Sequence, residues 1–208
     1  MTMHYYAFGS ICRGEVDPGS DIDLLVCSSA TKPEFDPRKF SIYTYERLRQ
    51  LWVEGNPFAW HLHLESRLLF SSDGSDFLES LGKPAEYNRS ASDLLKFHKL
   101  FEESHQSLVK STNSAVFNMS CMFLATRNFA TCYSFSTGRP IFSRKSPLLV
   151  DPKLPIGDDA FDILARARIL STRGYGPPLS NLDVLTAKAN SQGILDWMQN
   201  LYPTVSSI

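Results

Sequence analysis

Residues 8–26, Phe8-Gly9-Ser10-Ile11-Cys12-Arg13-Gly14-Glu15-Val16-Asp17-Pro18-Gly19-Ser20-Asp21-Ile22-Asp23-Leu24-Leu25-Val26, decide how the rest of the chain is read. They join two β-rich runs. The first, Tyr5 to Phe8, ends at Gly9. The second, Asp21 to Cys27, alternates and then turns wholly apolar, as a central strand does. The linking segment is rich in turn formers. Gly9 permits a tight turn and a close backbone approach to a phosphate, and the Ser10 hydroxyl can donate to a phosphate oxygen. Residues two apart on a strand share a face. Asp21 and Asp23 are therefore expected to project together, with Ile22 and Leu24 turned to the core. Two such carboxylates repel unless a cation lies between them. Mg²⁺ (or Mn²⁺) takes oxygen ligands, commonly one or two carboxylates plus substrate phosphates. The expected metal ligands are Asp21 and Asp23, and the expected nucleotide-binding residues are Gly9, Ser10, Arg13 and Ser20.

This stretch resembles the signature of the polymerase-β-like nucleotidyltransferases, particularly the minimal nucleotidyltransferases and the aminoglycoside adenylyltransferases. These share Gly-Ser, ten residues, then Asp-x-Asp, the spacing found from Gly9 to Asp23. The resemblance implies Mg²⁺-dependent transfer of a nucleoside monophosphate, usually AMP from ATP, onto an acceptor with release of pyrophosphate. It also implies a third carboxylate on a later strand beside the pair. Residues 58–70 alternate and read as that strand, with His61, His63, Glu65 and Arg67 on one face and Trp60, Leu62, Leu64 and Leu68 on the other. Glu65 is then the acid available as third ligand or general base, although the family position falls equally on His61 or His63. A second reading keeps the fold and loses the catalysis, leaving a nucleotide-binding regulatory module of antitoxin type.

Outward from this centre, residues 42–53 have helical spacing, with Leu48, Leu51 and Trp52 on one side. Gly55, Asn56 and Pro57 read as its stop. The pattern changes at Pro84 to Arg89. Beyond it, residues 90–111, 114–134, 159–172 and 181–201 read as helices, with Asn113 as a cap and a long loop at 136–158. The expected fold is α+β: a small mixed sheet over residues 1–86, then an all-helical bundle over 87–208. The helical half is similar to HEPN-type domains, whose ribonucleases use Arg-polar-x-x-x-His on a helix. Here Arg127 and Asn128 are in place, but Cys132 stands where His is required. A thiol with a reference pKa near ~8.5 does not replace an imidazole at neutral pH, so RNA cleavage is disfavoured. The helical half is the expected surface for pairing two copies, and the acceptor is expected between the halves.

The 208 residues are 43% hydrophobic and 21% charged, which places the chain among ordinary globular proteins rather than disordered ones. A formal net charge of -1 gives no overall pull toward nucleic acid. The four cysteines form no CxxC pair and have no zinc-site spacing, which fits reduced thiols in a cytoplasmic protein. No apolar run reaches the ~20 residues of a membrane span.

Overall fold

The computed structural model describes residues 2–15, 22–29 and 35–206, of which 203–206 are described as backbone alone. Ser20 and Asp21 lie outside the described residues. The chain divides into two compact units, Met1–Asn88 and Arg89–Ile208.

In the first unit, β1 (Met3–Phe8) ends in a 3-10 turn (Gly9–Arg13), and β2 (Asp23–Ser28) follows. Then come β3 (Ser41–Thr44), α1 (Tyr45–Val53), α2 (Pro57–Glu65), β4 (Ser66–Ser71) and α3 (Phe77–Ser80). The strands form one mixed sheet in the order β3-β2-β1-β4. β1 is antiparallel to both neighbours, with Phe8 opposite Asp23 on one side and Ser66 on the other. β3 runs parallel to β2, with Leu25 opposite Ser41. Helices α1, α2 and α3 cover one face. Tyr6, Phe8, Leu25 and Cys27 from the sheet pack there against Leu48, Leu51, Trp52, Ala59, Leu62, Phe77 and Leu78. This is the α+β architecture expected from the sequence.

Three local expectations are corrected. First, residues 58–70 are not one strand: Pro57–Glu65 is helix α2, and only Ser66–Ser71 is strand. Gly55 does end α1, but Asn56-Pro57 also starts α2. The Asn56 side chain accepts from the Phe58 N–H at 2.9 Å, and Pro57 takes the first turn, where its missing N–H costs nothing. Second, Ile42 and Tyr43 belong to β3 rather than to the helix. Thr44 caps α1 by accepting from the Arg47 N–H at 3.1 Å. Third, the core side of β2 is the face of Leu25 and Cys27, both fully buried, whereas Ile22 is 59% exposed. Asp23 lies on that same face, at its open rim.

The opposite end of β1 is fixed by a polar knot. Buried His4 places Nδ1 at 2.7 Å from the Tyr45 hydroxyl, and Nε2 at 3.1 Å from the Ser75 carbonyl oxygen and 3.4 Å from Asp73 Oδ1. Asp73 in turn accepts from the Ser75 N–H and from the hydroxyls of Ser75 and Ser71. These bonds hold the exposed Asp73 carboxyl down at about 2. Burial drives the other way on Cys27 in the sheet interior, whose thiol is pushed up to about 12.

The second unit is helical: α4 (Ser90–Lys110), α5 (Ala115–Ser136), α6 (Ser146–Leu149), α7 (Asp158–Arg173) and α8 (Asn181–Ser206). Ser114, not Asn113, precedes α5, and its side chain makes no capping bond. The short α6 lies within the expected loop. Phe101, Leu108, Met122, Phe123 and Phe129 form this unit's core, while Phe117 is exposed. α5 is buried nearly all round and carries its hydroxyls inward by returning them to its own backbone, as Thr126 does to Met122 O at 2.8 Å. Arg127 donates to the Phe142 carbonyl at 2.8 Å, and Cys132 is buried. The Arg127 bond ties Phe142, in the segment after α5, back to that helix. No helix among the described residues is long and apolar enough to cross a membrane.

Candidate active site

β1 delivers the chain to Gly9 at the edge of the core, and Gly9 turns it with φ +76°. That left-handed conformation is open to glycine at little cost. Space is also tight here: a Cβ on residue 9 would lie 2.7 Å from Asp23 Oδ2, so the Asp23 carboxylate would have to shift. The Asp23 carboxylate therefore rests directly on the Gly9 backbone. The register explains it: Phe8 and Asp23 are paired across the β1–β2 ladder, so residue 9 is the next step along Asp23's side. Ser10, half-buried, follows Gly9 in the 3-10 turn, and Gly14 closes it in the left-handed region at φ +73°.

Arg13 folds back from this turn. Its guanidinium donates to Glu65 and, through Nε, to Glu15 Oε2 at 3.0 Å. The Arg13 and Glu65 side chains are 18% and 14% exposed, so the pair is largely shielded from solvent. Burial works against the charge on Arg13, but the Glu15 hydrogen bond and the Glu65 carboxylate outweigh it, and its pKa is raised. The same Glu65 oxygen, Oε2, lies 3.0 Å from His61 Nε2, one helical turn earlier on α2. His61 in turn packs edge-on against Phe8, with ring centroids 5.6 Å apart. Cys12, between Ser10 and Arg13, has its thiol pushed up by burial and by Glu65, against the pull of Arg67 and Arg13.

The structure thus brings Gly9, Ser10, Arg13, Asp23 and Glu65 to one end of the sheet. Glu65 reaches it from the end of α2 rather than from a strand face. It does not lie beside β2: Ser66 and Asp23 flank Phe8 on opposite sides, two strand spacings or about 10 Å apart. His63 is separated from Glu65 on α2 and packs instead against Trp60. Burial, followed by the nearby Lys83 charge, lowers its pKa. The strand that does lie beside β2 is β3, whose residues Ser41–Thr44 contain no acid. The acid preceding it, Asp36, is engaged by Arg38 through bonds of 3.1 Å to each of its oxygens. Among the described residues no group of three or more His, Cys, Asp or Glu side chains could hold a metal ion. Ser20 and Asp21 are outside that set.

Two elements of the site had escaped the sequence reading. His61 as the partner of Glu65 follows from i,i+4 spacing on a helix, a signal hidden once the segment is taken as a strand. Arg38 and Lys39 on the approach to β3 carried no signal, because β3 itself had been assigned to a helix.

Residues 4–83 match the family model described as the nucleotidyltransferase domain. The match covers the sheet, the Gly9 turn, Asp23 and α2, and accords with the superfamily that the signature resembles. Nucleotide transfer is the general chemistry of that class of domain. A comparison with curated proteins finds no match to the chain.

Proposed function

We propose that the N-terminal unit is an Mg²⁺-dependent nucleotidyltransferase that moves a nucleoside monophosphate, AMP by preference, from an NTP to an acceptor. The observation that carries this reading is the Gly9 turn closed against the Asp23 carboxylate, inside a nucleotidyltransferase domain. The donor set fits the ion: Asp23 presents oxygen at an exposed strand end, and Asp21, outside the described residues, is the second carboxylate expected from the sequence. Bound by Asp21 and Asp23, Mg²⁺ would neutralise triphosphate charge and hold the phosphates in line for displacement. The chain supplies the rest. Gly9 lets the backbone come close to the phosphate tail, Ser10 and Ser20 donate to its oxygens, and Arg13 meets its charge. Glu65 and Glu15 hold the Arg13 guanidinium in place for that contact.

A second reading is favoured by the absence of an acid on β3 beside Asp23. With no third carboxylate there, the same fold would bind a nucleotide without turning it over and serve as a regulatory module.

One experiment separates the two. The full chain is incubated with each labelled NTP, Mg²⁺ and a panel of acceptors, while nucleotide binding and pyrophosphate release are followed in parallel. The enzyme reading expects release that falls by at least ~100-fold in Asp23→Asn, the scale of losing a group that stabilises developing charge. Binding without release in any mixture would support the regulatory reading. Failure to bind any NTP would refute both.

A further inference from the structure

The rim of the sheet is asymmetric about Asp23. On the β1 side lie the Gly9 turn and Arg13. On the β3 side lies a separate hollow of about 400 Å³, bounded by residues 22–24 and by residues 37–41. That volume sits at the small end of the roughly 300–1,000 Å³ typical of small-molecule sites. The parallel ladder begins with Leu25 opposite Ser41, and Lys39, on the turn just before β3, lines the same hollow as Asp23. The β3 side of the hollow that Asp23 lines therefore carries cations and no acid. The neighbouring Arg38 is gripped by Asp36. Two cations against one acid leave the outer wall of the hollow with a surplus positive charge.

In-line transfer places the attacking oxygen and the departing pyrophosphate on opposite sides of the reacting phosphorus. With the phosphate tail on the Gly9 side of Asp23, the hollow on the other side is left for the acceptor. We infer that this hollow is the acceptor site and that it selects a small hydroxyl compound bearing a phosphate or carboxylate, whose anionic group meets Lys39 while its hydroxyl points to Asp23. The inference rests on the nucleotidyltransferase reading. In the step, the acceptor oxygen bonds to the α-phosphorus as the bond from that phosphorus to pyrophosphate breaks, and the hydroxyl proton leaves to solvent. A polycationic acceptor such as an aminoglycoside would meet repulsion from Lys39. A neutral polyol would gain nothing from it.

The test uses the full chain saturated with Mg²⁺ and a non-hydrolysable ATP analogue, so that the donor side is filled. Binding of glycerol 3-phosphate, ribose 5-phosphate, glycerol and kanamycin is measured by NMR titration at fixed ionic strength. Wild type is expected to bind the two phosphates and not glycerol or kanamycin. Lys39→Glu, an exposed change on a turn, should weaken the phosphates by about tenfold or more through reversal of a nearby charge. It should leave the ATP analogue within about twofold and strengthen kanamycin. Lys39→Arg should restore phosphate binding. Phosphate affinity unchanged in Lys39→Glu, phosphate affinity lost in Arg13→Ala instead, or kanamycin preferred by wild type would each overturn the inference. No binding of the ATP analogue to wild type would sink the nucleotidyltransferase reading itself, and the acceptor assignment with it.

Discussion

Replacing Gly9 with alanine tests the turn on which the site depends, because Gly14 provides an internal control. The two glycines hold nearly the same left-handed conformation, φ +76° and +73°. An L-residue there costs about 1–2 kcal/mol. They differ in what a methyl group would meet. At Gly14 none of the described residues lies within 4 Å, whereas at Gly9 the new Cβ falls 2.7 Å from Asp23 Oδ2. Ordinary contact begins at 3.4 Å, so the carboxylate must withdraw by 3.4 − 2.7 = 0.7 Å or push the turn away from the strand. A misplacement of about that size can cost roughly 100-fold in rate. Both variants should therefore lose about 1–2 kcal/mol of stability, or about 4–8 °C in Tm per kcal/mol for a unit of this size. Only Gly9→Ala should also lose pyrophosphate release, by about 100-fold, with Gly14→Ala within about threefold of wild type. The measurements are a thermal melt and a pyrophosphate-release assay on the same preparations. Equal loss of activity in both variants, or full activity in Gly9→Ala, would refute the claim that Asp23 works from its seat on the Gly9 backbone.

Glu65→Gln keeps the shape of the Arg13 anchor and removes its charge. It should raise the NTP KM by about 5–10-fold with kcat nearly unchanged, as expected when a substrate-holding cation loses its orientation. A loss confined to kcat would instead place Glu65 among the reacting atoms. Asp73→Asn tests the knot at the other end of β1. The folded carboxyl, at about 2, lies below its unfolded value near ~3.9. Its contribution to stability is thus complete above that value and is lost as pH falls through about 2. Urea midpoints measured from pH 6 to pH 2 should fall less steeply in Asp73→Asn than in wild type, and identical slopes would count against the bonding seen around Asp73.

The legible parts of this chain are those with local causes. β1 and β2 could be read because short apolar runs flank a glycine-rich turn. The helices of the second unit showed through their spacing. The α+β class followed from the change of pattern between the two halves. The misreadings share one origin. In Phe58-Ala59-Trp60-His61-Leu62-His63-Leu64-Glu65, alternation of apolar and polar residues imitates a strand, yet Ala59 and Leu62 are the buried pair, at helical spacing. The arbiter was Asn56-Pro57, a start signal that sits where the preceding helix stops. β3 was lost for a similar reason: four residues running straight into a capped helix offer too short a pattern to separate from it.

The placement of the third acid failed for a different reason, which bears on what the site can do. Whether an acid on a given strand reaches Asp23 depends on the order β3-β2-β1-β4, and that order is set by pairings between segments far apart in the chain. Nothing local in residues 58–71 tells them that β1 will stand between them and β2. Once it does, Glu65 is committed to the β1 side, where Arg13 and His61 both meet its Oε2, and on the β3 side Lys39 lines the hollow with Asp23. A lysine in that place does not serve as a metal ligand, and protonated it is no general base. Among the described residues, none on the β3 side of the hollow offers a base, so the acceptor's hydroxyl proton is left to solvent. A phosphate on the acceptor then serves binding rather than proton transfer: it is the anion that Lys39 holds while the hydroxyl points to Asp23.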